Sequence, residues 1–243
     1  NHTGYGAWRG PLLAPGDVAD VVAGIADRGV LGRVDAILSG YQGAAEMGAE
    51  ILQAVRLVRK ENPGAIYCCD PVIGDIGRGI YVRPGIPEFM RDQVVPAADV
   101  VTPNHFELDF LTGRTTTTLA EVLGAARELQ RRGPKVVLVT STVLEGDHPD
   151  EINMLVVSAD GAWQVTTPRL ERNFTGSGDL TAALFLAHLL NSETPGHAVG
   201  ATADAVYSLL RRTAELESAE LALVAAQQEL VDPSHHFEVR QLG

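Results

Sequence analysis

The chain has 243 residues, 45% of them hydrophobic and 21% charged, which suits one large α/β domain or two small ones and excludes a disordered chain. Its net charge of −12 argues against general binding to nucleic acid or to anionic membranes, so an anionic substrate must be met by local donors or a metal. Lysine occurs only at Lys60 and Lys135, and neither follows a Gly-x-x-x-x-Gly run, which excludes a Walker A phosphate loop.

In chain order, Asp17 to Val30 reads as an amphipathic helix after the turn at Pro15-Gly16. Val34 to Leu38 is a short buried strand ending in Ser39-Gly40. Ala44 to Lys60 is a helix, stopped by Asn62-Pro63-Gly64. Ala65 to Cys69 is a strand that meets Asp70-Pro71, and Ile86 to Gln93 is a short helix. Val100-Val101 ends a strand that runs into Thr102-Pro103-Asn104. Leu119 to Arg132 is a helix closed by Gly133-Pro134, and Val136 to Thr140 is a strand. Ile152–Ser158 and Ala162–Thr166 form a hairpin around Asp160-Gly161. Helices follow at Leu180–Leu190, His197–Arg212 and Ala219–Val231.

Strands alternating with helices imply βαβ units, a mostly parallel sheet, and functional residues at the carboxyl ends of its strands. Four polar clusters fall there: Ser39-Gly40-Tyr41, Asp70-Pro71, Thr102-Pro103-Asn104 and Thr140-Ser141. Cys68 and Cys69 are neighbours in a strand, pointing to opposite faces, and set up no disulfide framework, which fits a reducing cytosol. The longest apolar run is too short to span a bilayer, and no signal peptide is expected. The chain does not begin with Met, and its first residues read as the middle of a motif, so a missing native N-terminus is expected.

Gly176-Ser177-Gly178-Asp179 precedes an apolar run. A Gly-rich turn opening a helix presents free N–H groups and the positive end of the helix dipole, a combination that holds an anion. An aspartate beside that anion suggests phosphoryl transfer, with Asp179 as base for an attacking hydroxyl. The alternative is an ordinary helix start with a favourable acidic residue. Asp70 and Asp75 near a phosphate would repel it unless Mg²⁺ lies between them; the alternative is a turn cap and a solvated carboxylate. Thr102, Asn104 and Glu107 lie where a strand enters a helix. Asn104 with Glu107 resembles a capping box, and Glu107 could hold a metal-bound water while closing the helix start. Asn1-His2-Thr3-Gly4-Tyr5-Gly6, with Trp8 and Gly10, could line a small aromatic ligand or be a bare loop. Tyr41 could stack on a flat ring or simply pack. Glu145 to Glu151 reads as a mobile acidic loop, either a lid or plain surface. His235-His236 reads as a surface pair.

Together these segments resemble the ribokinase-like superfamily, and within it the vitamin B6 kinases, over essentially the whole chain. The resemblance rests on Asn1-His2-Thr3-Gly4-Tyr5-Gly6-x-Trp8-x-Gly10, Ser39-Gly40-Tyr41, Cys69-Asp70-Pro71-Val72-x-Gly74-Asp75, Thr102-Pro103-Asn104-x-Phe106-Glu107 and Gly176-x-Gly178-Asp179-Leu180. It implies a single three-layer α/β/α domain over 1–243 and ATP-dependent phosphorylation of the 5′-hydroxymethyl group of a B6 vitamer. It implies Asp179 as catalytic base and Gly176, Ser177 and Gly178 as the anion hole. Asp70, Thr102, Asn104, Glu107, Thr140 and Ser141 would serve ATP, and Asp70, Asp75 and Glu107 the metal. Thr3, Gly4, Tyr41 and Asp179 would meet the B6 substrate, and Leu144 to Asn153 would form a flap. It further implies Mg²⁺ with ATP as co-substrate, K⁺ as an optional cation, a cytoplasmic homodimer, and a strand, helix and strand ahead of the Asn-His-Thr motif, carrying a serine that contacts the pyridine ring. Ser177 stands where the family usually has Thr or Val, and Thr140 where many bacterial members have Lys. Competing readings are a hydroxymethylpyrimidine kinase of the same superfamily and a non-catalytic homologue that binds pyridoxal or nucleotide. A Rossmann NAD enzyme is disfavoured, because no Gly-x-Gly-x-x-Gly follows the first strand.

Overall fold

The computed structural model describes residues 13–192 and 194–243. Its centre is a seven-stranded sheet of β1 (Ala36–Ser39), β2 (Ile66–Cys69), β5 (Val100–Val101), β6 (Val136–Thr142), β7 (Glu151–Ser158), β8 (Gly161–Pro168) and β9 (Val239–Leu242), in that spatial order. The first four are mutually parallel, and β7, β8 and β9 alternate in direction. Five of the seven strands therefore run the same way. A two-stranded hairpin, β3 (Gly74–Asp75) with β4 (Gly79–Ile80), stands apart from the sheet.

Strand alternation divides the core. Tyr67, Cys69, Val101, Val137, Val139 and Leu155 face one side. They pack on α2 (Ala45–Glu61), on the helical stretch from α3 (Ile86–Phe89) to α4 (Val95–Ala97), on α5 (His105–Thr112) and on α6 (Leu119–Arg132). Cys68, Val100, Leu138, Met154, Val156 and Val165 face α7 (Ser177–Asn191) and α8 (Pro195–Glu215). The three layers expected from the sequence result, and both cysteines are buried and free on opposite faces. The remaining helix, α1 (Pro15–Ala26), lies outside the layers against α2 and buries none of its residues fully.

Local chemistry accounts for the starts of two helices. Asn104–Glu107 and Thr118–Glu121 form capping boxes that start α5 and α6. Several expectations need correction. Ala219–Val231 is not a helix: it runs as turns with a short 3₁₀ stretch at Gln227–Leu230. Apart from the buried Ala226, its valines find little to pack on, Val224 being 85% and Val231 82% exposed, and helices depend mainly on such packing. The helix expected at 17–30 ends at Ala26, with Gly29 in a left-handed turn ahead of a 3₁₀ turn at Leu31–Arg33. The helix expected at 86–93 continues to Ala97 through a π-helical turn at Met90–Val94. That wider turn precedes Pro96, which has no N–H to continue an α-helical ladder. Strand β9 and the β3–β4 hairpin were not anticipated.

Candidate active site

Parallel registers bring the carboxyl ends of β1, β2, β5 and β6 to one edge of the sheet. Ser39 pairs with Cys69, Cys69 with Val101, and Val101 with Val137. The four polar clusters therefore gather along that edge, as expected. The start of α7 faces them: a Cβ placed on Gly40 would lie 3.4 Å from Asp179 Oδ1.

The α7 turn has the form an anion site requires. Gly176 adopts φ +88°, a left-handed conformation that suits glycine, and the side chain of Leu221 lies 3.5 Å from where its Cβ would stand. No side chain caps this helix end, and the space beside Gly178 is open within 4 Å. Ser177 spends its own N–H on Phe174 O at 3.2 Å. Gly178 and Asp179 are exposed, so the bend is not occluded.

Asp70 is buried at the tip of β2, where Thr102 Oγ1 donates to its Oδ1 at 3.1 Å. Burial pushes its carboxyl up to about 7, the Thr102 bond pulls it back down, and the charge of Asp179 raises it further. Asp75 is exposed on the hairpin, its Oδ1 accepting the Ile76 N–H at 2.7 Å.

Glu107 is built in more tightly than its sequence position suggests. Its Oε1 accepts from Ile73 N at 2.8 Å and Gly74 N at 3.4 Å, and its Oε2 accepts from Asn104 N at 2.9 Å. Asn104 Oδ1 takes the Glu107 N–H at 2.9 Å, and Asn104 Nδ2 donates to Gly74 O at 2.8 Å. Burial pushes the Glu107 carboxyl up to about 8, against the lowering effect of those backbone donors. The pair thus clamps the hairpin to the start of α5. Gly74 must be glycine here, because a Cβ would meet Gly79 O and the Phe106 ring, each at 2.5 Å.

Thr140 and Ser141 are half-buried near the end of β6, with Thr140 N donating to Pro103 O at 3.0 Å. Tyr41 is 61% exposed beyond β1. Thr3 and Gly4, with the rest of the Asn1–Gly10 motif, lie outside the described residues. The segment expected as a flap divides in two. Glu151–Asn153 belong to β7, while 144–150 form a loop in which Leu144 N donates to Asp147 Oδ2 at 2.9 Å. Among the described residues, no group of three or more His, Cys, Asp or Glu side chains could hold a metal by itself.

Three residues at this edge escaped the sequence reading. Tyr81, half-exposed, has its hydroxyl pushed up to about 12 by burial and by the charges of Glu107, Asp75 and Asp70. Arg172 lies over the Phe174 ring, 5.4 Å from its centroid, and bonds Ser218 O, joining the turn before α7 to the loop after α8. Leu221, in that loop, walls Gly176. Only Arg172, a cation two residues before an aromatic and just ahead of the glycine turn, carried a readable signal.

The family model for phosphomethylpyrimidine kinase matches residues 35–223. Pyridoxal kinase PdxY of Rubrobacter xylanophilus is 52% identical over 245 residues, covering 100% of this chain and 84% of that protein. Pyridoxal kinase PdxY of Leifsonia xyli is 48% identical over 244 residues, covering 100% of this chain and 86% of its own. The chain belongs to the pyridoxal kinase family. Its fold agrees: the structure of pyridoxal kinase from Leishmania donovani in complex with ADP and pyridoxine matches with a TM-score of 0.89 at 27% identity, over 100% of this chain and 86% of that one. The ribokinase-like α/β/α architecture and the assignment as a kinase enzyme expected from the sequence both hold.

Proposed function

We propose that this enzyme transfers the γ-phosphoryl group of ATP to the 5′-hydroxymethyl group of pyridoxal, pyridoxine or pyridoxamine, giving pyridoxal 5′-phosphate from pyridoxal as in B6 salvage. The observation that carries this reading is the uncapped start of α7, with Asp179 against Gly40 and the Asp70 carboxyl close by. An exposed acid beside free helix amides suits an alcohol attacking a bound phosphate.

In this reading the amides of Gly176 and Gly178 hold the phosphoryl group in transit, while the Ser177 amide, bonded to Phe174 O, shapes the turn rather than donating to the phosphate. Asp179 takes the proton from the vitamin hydroxyl as its oxygen bonds to phosphorus, and ADP leaves with the electrons of the broken P–O bond. A carboxylate is a weak base toward an alcohol, so positioning and charge stabilisation supply most of the acceleration. Thr102, Asn104, Thr140 and Ser141 meet the nucleotide, while Tyr41, Thr3 and Gly4 meet the B6 ring. The loop 144–150 covers the site and excludes water.

The donor set suits Mg²⁺. Asp70 is a buried carboxyl that burial and the charge of Asp179 drive toward its neutral form, and Asp75 is an exposed second carboxylate. These two would hold the ion, with Glu107 behind them at most through water, since backbone N–H groups already engage both its oxygens. The bound ion would neutralise phosphate charge. K⁺ would be a further cation of the nucleotide site.

Coupled ADP-release assays with pyridoxal test the activity. The match to the phosphomethylpyrimidine kinase model favours one alternative substrate, hydroxymethylpyrimidine. A higher kcat/KM for hydroxymethylpyrimidine than for pyridoxal would replace the B6 reading, and calorimetric binding without ADP release would make the chain a binding protein. We further infer a homodimer, supported by the exposed apolar residues Leu13, Val21 and Ile25 around α1. Light scattering at the monomer mass would refute it. A cytoplasmic setting is supported by the two free buried thiols; among the described residues no helix is long and apolar enough to cross a membrane.

A further inference from the structure

His105 is the one histidine buried below a tenth exposure among the described residues, and no role assigned above uses it. It is the first residue of α5, between Asn104 and Glu107 in sequence, yet its ring points away from them toward the root of the 144–150 loop. Val143 N lies 3.1 Å from Nδ1. An N–H can only donate, so Nδ1 bears the lone pair and Nε2 bears the hydrogen in the neutral ring. Nε2 lies 2.8 Å from Thr116 Oγ1 and 3.0 Å from Thr116 O, both able to accept. Thr116 Oγ1 passes its own hydrogen to Asp109 Oδ1 at 2.7 Å, and Asp109 Oδ2 accepts the Thr116 N–H at 3.1 Å. Every donor and acceptor in this chain is matched in one direction only.

The chain joins two parts of the nucleotide site. One end is α5, whose Asn104 and Glu107 hold the acidic hairpin. The other is Val143, next to the β6 segment Thr140-Ser141-Thr142. That segment is irregular: the pairing of β6 with β7 shifts register between Val139 and Thr142, and the buried Thr142 Oγ1 has no partner. Sheet pairing therefore fixes this end of β6 less firmly than the rest. A second tie follows at once, where Glu145 N donates to Thr117 O at 2.8 Å.

We propose that His105 is a positioning residue for the nucleotide. By holding Val143 it sets the distance between Thr140-Ser141 and the Asn104–Glu107 clamp, and it anchors the loop expected to close over the phosphates. This inference rests on the nucleotide site proposed above.

Two variants separate the halves of the ring. His105→Asn places an amide oxygen near the Nδ1 position, keeping the acceptor for Val143 and losing the link to Thr116. His105→Gln reaches toward the Nε2 position, keeping the Thr116 link and leaving Val143 N–H without its acceptor. Steady-state kinetics with pyridoxal should show that His105→Gln raises KM for ATP roughly five- to tenfold, the effect of about one lost hydrogen bond, with kcat changed less. His105→Asn should stay within about twofold of wild type, because the bond to Val143 survives. Hydrogen exchange at Val143 should quicken in the Gln variant alone. Calorimetry with ADP should show the same split in affinity whether or not the bound nucleotide is used on a vitamin. Equal loss of melting temperature in both variants, with ADP affinity and Val143 exchange unchanged in the Gln variant, would reduce His105 to a packing residue. Wild type binding ADP without phosphorylating pyridoxal would refute the B6 reading and leave the His105 comparison intact. Wild type that binds no ADP would overturn both.

Discussion

Gly40, just beyond β1, faces Asp179 on α7 so closely that a methyl group in place of its hydrogen would stand 3.4 Å from Oδ1. That distance is ordinary contact, and Gly40 is not in the left-handed region, so alanine fits without backbone strain. Asp179 is the nearest group that a branched side chain would meet there. Gly40→Ala should fold normally and lose little kcat, whereas Gly40→Val should lose on the order of 100-fold by displacing the acid from the vitamin hydroxyl. Kinetics paired with circular dichroism checks this, and near-normal turnover in the valine variant would mean that the reacting hydroxyl does not pass between these residues.

Asp179 itself gives the sharper test of mechanism. Asp179→Asn keeps the shape of the side chain and removes its ability to take a proton. The kcat should fall by about 10²–10⁴, the range for loss of a general base, while ADP affinity stays close to wild type. An asparagine variant with most of its turnover would reassign the proton to solvent or phosphate.

Much of this site was readable because its residues obey local rules. The Asn104–Glu107 box, the polar residues after each apolar strand, and the glycine turn before α7 all express backbone needs that recur at fixed spacing. The role of Glu107 was only half legible: the box was visible, but the reach of its carboxylate to Ile73 and Gly74, more than thirty residues earlier, is a tertiary fact. Its expected service to metal and ATP competes with those bonds. The segment 219–231 misled for the opposite reason. Its apolar spacing is helical, yet the sheet face it would need is already covered by α7 and α8. His105 looked like any polar residue of a helix start, and only the fold shows that its ring meets Val143 and Thr116.

Glu107 should therefore behave first as a structural hub. Glu107→Ala leaves the N–H groups of Ile73, Gly74 and Asn104 without their acceptor, which should cost about 2–4 kcal/mol. Glu107→Gln keeps the volume but turns an amide hydrogen toward one of those donors and should cost about half as much. Denaturant titration measures both. A melting temperature unaltered in the alanine variant would show that the hairpin stands without this clamp, and that Glu107 is free to serve the metal directly.

Asp70 predicts an unusual dependence on pH. Its carboxyl rises from 3.8 to about 7 on folding, chiefly through burial. The folded chain thus binds this proton more tightly than the unfolded chain does. The stability tied to it is fully present below about pH 4 and is lost as pH rises through about 7. Glu107, raised to about 8, acts in the same direction over an overlapping window. Asp70→Asn supplies a side chain that never ionises. Without nucleotide, its melting temperature should exceed that of wild type near pH 8 by several degrees, since about 1 kcal/mol moves a domain of this size by about 2–4 °C. Toward pH 5 the difference should shrink, because wild-type Asp70 is then mostly protonated. Adding Mg²⁺ with ADP should invert the order near pH 8: the cation rewards the ionised carboxylate, so wild type gains stability that the variant cannot. Thermal melts at the two pH values, with and without Mg²⁺ and ADP, test both statements. An asparagine variant less stable than wild type near pH 8 in the nucleotide-free state would mean that the Asp70 charge is already compensated there.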